Sequence, residues 1–299
     1  MRTAAEVVVQ ALASESRYVV SDWRVLLILR RATFDLPGSE RRWNVLPESI
    51  SDIGSVLRQM TRNGLLTALQ DLPGLYRVTV PFARNRALDE VEILMELNPF
   101  SALRHLSALN LHHLSDLLPK QIWAYTPRAV GGQILPHGTV SADWEDVIAP
   151  APRTRATILR TPVSWRRLDP ANWIGIREFP ASGPPIFATT IERTLIDSLR
   201  YPDDSGGITN VLLAWQRAAP RLDLNSIITL TDAMNMVVLR NRVGYALDRI
   251  GMTDPRIEAW AAAAVRGSSN KLVATEPFAA EHDPRWQMSI NAPVPPPST

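Results

Sequence analysis

Ser55, Arg58, Gln59 and Arg62 recur at the spacing of one helical face, and Asn63 follows them. Their hydroxyl, guanidinium and amide groups are the donors and acceptors that base edges and phosphates pair with. Ile53, Val56, Leu57 and Met60 recur at the same spacing on the other side and form an apolar stripe. Ser51 or Asp52 can accept hydrogen bonds from the free amides of a first helical turn, and Gly64 can end the helix in a left-handed cap. The pattern predicts a helix from Ser51 or Asp52 to Asn63, with one face buried and the other available for recognition.

The segments on either side complete a module. Leu65 to Leu69 and Leu75 to Val80 are short apolar runs separated by Gln70-Asp71-Leu72-Pro73-Gly74, a hairpin signal, with Arg77, Arg84 and Arg86 on or just after it. Upstream, Thr3 to Ala13 and Ser21 to Thr33 read as amphipathic helices. The first turns Ala4, Val7, Val8, Ala11 and Leu12 inward, and the second carries Trp23, Leu26, Leu27 and Arg30 along its length. Two helices, a polar-faced third and a basic hairpin are the order of a winged helix-turn-helix, in which the last helix enters the major groove and the hairpin touches flanking backbone. On this reading Ser55, Arg58, Gln59 and Arg62 approach the groove, while Arg41, Arg42 and Arg77 hold phosphates. Trp43, after Glu40-Arg41-Arg42, either contacts a backbone or anchors its loop.

Charge is distributed accordingly. Residues 1–86 hold twelve arginines, no lysine and eight acids, a formal charge of +4, whereas the whole chain is +2 and the remainder therefore −2. A basic N-terminal segment implies a salt-dependent attraction to nucleic-acid phosphate.

Residues able to do catalysis are sparse. His105, His112 and His113 fall in one predicted helix, but His105 and His112 are seven residues apart, whereas two rings on one helix reach a common metal at three or four. Asp143, Glu145 and Asp146 surround Trp144, and Asp203 and Asp204 form a pair. Both sets lie in turn-like segments where solvated acids are ordinary. There is no phosphate-binding glycine loop, no G-x-S-x-G and no H-E-x-x-H, and Gly131-Gly132 and Gly206-Gly207 read as turn glycines. No catalytic, cofactor-binding or metal-ligating residue is assigned.

At 299 residues and 45% hydrophobic, the chain can bury two cores. Zero cysteines exclude disulfides and thiolate chemistry. No apolar run reaches the length of a membrane span and the N-terminus does not resemble a signal peptide, so a cytoplasmic protein is expected. After Glu90 to Leu97, the chain reads as a helix from Phe100 to Leu114. Strands follow at Lys120 to Pro127, Thr157 to Thr161, Trp173 to Phe179 and Pro185 to Ala188. Helices are expected from Thr189-Thr190 to Arg200, Ile208 to Ala218, Asn225 to Met236, Val238 to Ile250 and Pro255 to Ala264, with a late strand at Trp286 to Ile290. The expected fold is α+β, comprising a winged helix-turn-helix over 1–88, a mixed domain with a helical final half over 89–291, and a flexible proline-rich tail over 292–299.

Several segments resemble the AbiEi family, antitoxins of type IV toxin–antitoxin systems. Ser101-Ala102-Leu103-Arg104-His105-Leu106 through His112 resembles its S-A-L-x-x-H helix. Glu192-Arg193-Thr194-Leu195-Ile196-Asp197, followed by Gly206-Gly207, is similar to its E-R-T-L-I-D helix and glycine loop. Arg242-Val243-Gly244-Tyr245-Ala246-Leu247 resembles its late R-L-G-Y-L-L helix, and Trp286 to Asn291 its closing strand. The resemblance implies a winged helix that represses its own operon and a C-terminal domain that counters a toxin of the nucleotidyltransferase class. The long polar loop from Pro37 to Pro47 departs from the family's compact N-terminal module. Glu192 and Arg193 are expected to form a structural pair.

The sequence thus favours an autorepressor and antitoxin, with double-stranded DNA, in an operator that is an inverted repeat, and a toxin as partners. The alternative is a ligand-sensing winged-helix regulator without a toxin. An enzyme with a DNA-targeting arm would need a site around His105, Asp143 or Asp203.

Overall fold

The computed structural model describes residues 1–130, 134–265, 267 and 270–297, so the Gly131-Gly132 turn lies outside the described residues. The chain begins with helix α1 (Ala4–Ser14), whose cap is built from Thr3 and Glu6. Glu6 N donates to Thr3 Oγ1 at 3.2 Å and Thr3 N donates to Glu6 Oε2 at 2.7 Å, so two otherwise unpaired amides satisfy each other's side chains. A short strand β1 (Val19–Ser21) runs directly into α2 (Asp22–Asp35), with Ser21 accepting from Arg24 N as the cap. Then come α3 (Gly54–Arg62), strands β2 (Leu66–Ala68) and β3 (Leu75–Val78), and α4 (Glu90–Leu97). β3 sits between β1 and β2 in an antiparallel three-stranded sheet, pairing Val20 with Tyr76 and Thr67 with Arg77. The sequence pattern shows β2 and β3 but not β1, because three residues are too few for a period to register.

The remaining elements are β4 (Ala102–Leu103), α5 (His105–Leu111), β5 (Ile122–Pro127), β6 (Thr157–Ile158), β7 (Thr161–Leu168), β8 (Ile176–Phe179) and β9 (Ile186–Thr189), followed by five helices and a small ribbon. The helices are α6 (Ile191–Arg200), α7 (Ile208–Ala218), α8 (Leu224–Ala233), α9 (Val237–Arg249) and α10 (Pro255–Ala262), and β10 (His282–Asp283) pairs antiparallel with β11 (Met288–Ser289). β4 pairs parallel with β9, so the fold is α+β with mixed sheets. Among the described residues no helix is long and apolar enough to cross a membrane.

Contacts divide the chain into two compact units, and neither is one continuous stretch. The first comprises Met1–Ala102, Thr126–Pro170 and Glu178–Phe187, and the second Leu103–Tyr125, Ala171–Arg177 and Ala188–Thr299. The division therefore does not fall at a single point after residue 88. In the first unit, Val8, Leu12, Val25, Leu29, Ile53, Leu57, Met60, Leu66 and Val78 form the core shared by α1, α2, α3 and the sheet. In the second, Leu195, Ile196, Leu199, Trp215, Ile227, Val243, Leu247 and Trp286 build the core among α6 to α9.

Three sequence expectations are corrected. The helix expected from Phe100 to Leu114 is only His105–Leu111. Ala102 and Leu103 are drawn into sheet pairing, and Arg104 N donates to Trp123 O, so the backbone cannot be helical there. The strand expected over 157–161 is a tight hairpin, because Leu159 takes a left-handed φ of 52° and reverses the chain from β6 into β7. The tail expected to be free is docked as far as Pro296. The carbonyls of Pro293 and Pro296 accept from Thr209 Oγ1 at 3.0 Å and Gln216 Nε2 at 2.6 Å, and that of Pro295 from Arg249. Ala292 and Val294 pack against the core. Proline has no amide to satisfy, so a proline run can dock through acceptors and apolar surface alone.

Gly244 in α9 shows a close approach that no other residue permits. A Cβ there would stand 2.1 Å from Trp286 Cη2, and the Trp286 ring is pinned by its Nε1 donating to Asp248 Oδ2 at 2.7 Å. Alanine would improve helix propensity by about 1 kcal/mol. Overpacking a filled core costs about 1–3 kcal/mol or more, and a contact this short against a pinned ring lies at the upper end. Gly244→Ala should therefore lose about 1–2 kcal/mol net in a urea melt. A gain in stability would show that the ring moves aside freely.

Candidate nucleic-acid interface

The apolar stripe of α3 is buried through Ile53, Leu57 and Met60, while Ser55, Arg58, Gln59, Arg62 and Asn63 are all exposed. The two stripes read from the sequence therefore separate as expected. The end of the helix follows as well. Gly64 has φ 66°, Gly64 N donates to Thr61 O and Leu65 N to Met60 O, the paired bonds of a Schellman cap. The start differs. Helical geometry begins at Gly54, and no side chain caps it. Asp52 instead turns back and accepts from the amides of Glu48 and Ser49, both at 2.9 Å, which holds its carboxyl below the usual range and fixes the preceding loop. Gly54 has a local use: a Cβ there would come within 3.3 Å of Arg58 Nη1, so the Arg58 side chain reaches back over the first turn.

The three expected phosphate ligands are not equivalent. Arg42 is exposed, but Arg41 is half-buried and donates from Nη1 to Trp43 O at 2.9 Å and from Nε to Leu36 O at 3.3 Å, so its guanidinium clamps its own loop. Arg77 is half-buried on β3, and its Nη2 donates to Arg86 O at 3.0 Å. Trp43 anchors the loop: Nε1 donates to Thr33 Oγ1 at 2.8 Å and the ring packs on the core. The +4 count also overstates the available charge, since Arg17, Arg24 and Arg30 are buried. Arg24 donates to both oxygens of the buried Glu96 carboxylate, from Nε at 2.9 and 3.3 Å and from Nη2 at 3.2 Å. Arg30 spans the carbonyls of Pro47 and Glu145.

Beside this cluster, Arg17, Arg24, Glu92, Met95, His137 and Phe187 are among the residues bounding a cavity of about 120 Å³. His137 stacks on Phe187 with ring centres 3.5 Å apart, and its Nε2 lies 2.6 Å from Ser101 O. A carbonyl only accepts, so Nε2 carries the proton. Burial pushes the His137 imidazole down to about 3, against the opposing pull of that bond.

The residues on which an enzyme would depend are tied into structure. His105 starts α5 at a φ of 47°, with Nδ1 3.3 Å from Ser205 Oγ and Nε2 3.7 Å from Asp204 Oδ2. Ser205 is fully buried. His112 Nε2 is 2.7 Å from Thr189 O and so also carries a proton, which takes that nitrogen out of use as a metal ligand. Asp143 is gripped by Arg31 through bonds of 2.8 and 2.7 Å, which outweigh its partial burial and hold its carboxyl low. Gly206 and Gly207 are left-handed turn glycines, as expected. Among the described residues no group of three His, Asp or Glu side chains is arranged to hold a metal.

The expected Glu192–Arg193 pair is corrected. Arg193 Nε instead donates to Asp197 Oδ2 at 2.9 Å and its Nη1 to the carbonyls of Asn172 and Ile174. The Tyr125 hydroxyl donates to the same carboxylate oxygen at 2.9 Å, and burial beside that charge pushes the phenol well above its ordinary value. Glu192 points elsewhere and accepts from Asp223 N. A four-residue step along α6 put Asp197 on Arg193's own face, a signal present in the sequence.

No protein-family model matches this chain, and no curated protein matches it. The chain is similar to the crystal structure of the RV2827C protein from Mycobacterium tuberculosis, with a TM-score of 0.51 at 16% identity over 95% of this chain and 90% of that one. At that identity the likeness is one of fold, and it extends over nearly the full length of both chains.

Two outcomes test these assignments. Asp197→Ala leaves Arg193 buried without its carboxylate and should cost about 3–5 kcal/mol in denaturant; a loss under 1 kcal/mol would mean that water reaches the site. For His137, the unfolded imidazole takes up a proton as pH drops below about 6.5, while the folded one resists to about 3. Its contribution is present above pH 6.5 and is lost as pH falls through that window, by about 1.4 kcal/mol per unit. His137→Gln, which keeps a donor to Ser101, should flatten the stability–pH curve between pH 6 and 4. An unchanged slope would place the proton uptake elsewhere.

Proposed function

We propose that the chain is a sequence-specific DNA-binding regulator whose first eighty or so residues act as a winged helix-turn-helix. The observation that carries this is α3. Its apolar stripe is buried against α1, α2 and the sheet, and its opposite face presents Ser55, Arg58, Gln59, Arg62 and Asn63 to solvent, with no ion pair on Arg58 or Arg62 among the described residues. Bidentate arginine and amide groups on one exposed helix face suit guanine and adenine edges. The β2–β3 hairpin supplies the wing. Of the basic residues, the exposed Arg42 would contact phosphate, whereas Arg41 and Arg77 would act by shaping the loop and the wing.

The resemblance to AbiEi antitoxins extends the reading to autorepression from an inverted-repeat operator and to neutralising a nucleotidyltransferase-type toxin, in the cytoplasm. Two of the motifs behind that resemblance, at Gly244 and Trp286, lie in direct contact. The ligand-sensing alternative would draw on the cavity around His137, which at about 120 Å³ is below the roughly 300–1,000 Å³ of sites that enclose drug-sized ligands, or on a larger but more open cleft such as the one of about 550 Å³ lined by Trp23, Ile50 and Trp144.

Fluorescence anisotropy of the full chain with the duplex upstream of its own gene, at two salt concentrations, tests the proposal. Because the first unit draws on three stretches of chain, the full chain and not residues 1–88 is the right reagent. Arg58→Ala or Arg62→Ala should weaken specific binding by about 1–3 kcal/mol where a base is contacted, or lower the salt slope by about one where a phosphate is. Unchanged affinity and slope in both would remove α3 from the interface.

A further inference from the structure

We propose that the β6–β7 hairpin is a second DNA-contacting arm, gripping the phosphate backbone of the duplex beside the site that α3 reads. The inference rests on the DNA-binding reading above and adds an element that neither the helix nor the wing supplies.

The first observation is charge. Residues 147–168 hold five arginines, no lysine and no acid. Arg155, Arg160 and Arg167 are exposed, and no carboxylate pairs with them among the described residues. Asp169, the next acid along the chain, is already paired with Arg128 at 2.9 Å. Exposed guanidiniums left without carboxylate partners suit a partner that brings the opposite charge in a row, as duplex phosphates do.

The second is position. The segment entering the hairpin lies against the wing loop, within one compact unit. Arg153 Nη1 donates to Pro73 O at 3.4 Å and its Nη2 is 3.9 Å from Asp22 Oδ2, so Arg153 is spent on fastening that segment to the loop between β2 and β3. Arg155 lines the same cleft as Pro73 and Gly74. Arg155 therefore lies beside the loop between β2 and β3.

The third is construction. Trp165 Nε1 donates to Arg155 O at 2.7 Å and Val163 N to Ala156 O at 2.8 Å, which lock the hairpin below its tip. The two-residue tip is Leu159-Arg160, where glycine or asparagine would be easiest. Leu159 instead takes a φ of 52° while 49% exposed, which costs about 1–2 kcal/mol in backbone strain. A strained, apolar and basic tip is poor for stability and good for contact.

The test uses the full chain, the triple variant Arg155→Gln/Arg160→Gln/Arg167→Gln and the single variant Arg160→Gln. Each is titrated against a duplex covering only the operator site and a duplex extended about ten base pairs on each side. The native chain should bind the longer duplex with the steeper salt dependence. The triple variant should lose about 2.7 from that log–log slope, some 40-fold between 50 and 200 mM salt, and Arg160→Gln about a third of it. Site preference and binding to the short duplex should be unchanged, and thermal melts should match, since these side chains form no hydrogen bond or ion pair among the described residues. An unchanged slope in both variants, with native binding intact, overturns the arm and leaves the α3 reading standing. No binding by the native chain to either duplex overturns both.

Discussion

A buried guanidinium must find acceptors inside the protein, and much of this structure follows from that requirement. The chain has thirty arginines and two lysines, and Arg24, Arg30, Arg104, Arg193 and Arg242 are all buried. A planar group with five donors keeps its charge in the interior, so each of these needs a carboxylate or carbonyls. Arg24 takes Glu96, joining α2 to α4. Arg193 takes Asp197 and two carbonyls from the 171–177 segment. Arg242 takes Leu199 O and Lys271 O, tying α9 to the end of α6 and to a distant loop. Replacing such a pair by apolar residues can be harmless, whereas removing one partner strands a charge. These contacts therefore specify which segments meet more than they add stability.

The same residue type consequently has two uses within the first unit. Arginines facing inward are spent on internal acceptors: Arg24 on the Glu96 carboxylate and Arg30 on two backbone carbonyls. Arg58 and Arg62 on α3, and Arg155, Arg160 and Arg167 in and beside the β6–β7 hairpin, are exposed and have no carboxylate partner among the described residues, the state that a DNA-binding surface would need. Formal charge summed along sequence cannot separate the two populations. Arg30 and Arg62 count equally in the sum, yet one holds two backbone carbonyls in the interior and the other faces water.

Helix α3 illustrates how local sequence and tertiary packing divide the work. Nine residues make a marginal helix in water, and this one lacks a side-chain cap at its start. It persists because Ile53, Leu57 and Met60 enter the core with α1 and α2, and because Gly64 closes its end. The rigidity of α3 thus comes from its buried face, leaving the composition of the exposed face unconstrained by folding.

Much of the fold was legible in the sequence. Glu90–Leu97 and Ile208–Ala218 appear with the expected bounds, the α3 stripes separate as their spacing requires, and the first two helices begin within a residue of their expected starts. These features depend on residues within a turn or two of one another, and periodicity or capping chemistry is enough to determine them. What the sequence could not determine were events decided by distant partners. Ala102 and Leu103 became strand because β9 offered a ladder, and the proline tail docked because Thr209, Gln216 and Arg249 offered donors to its carbonyls. Local propensities differ by less than a kilocalorie per residue, so a single well-placed hydrogen-bond partner from elsewhere in the chain is enough to override them.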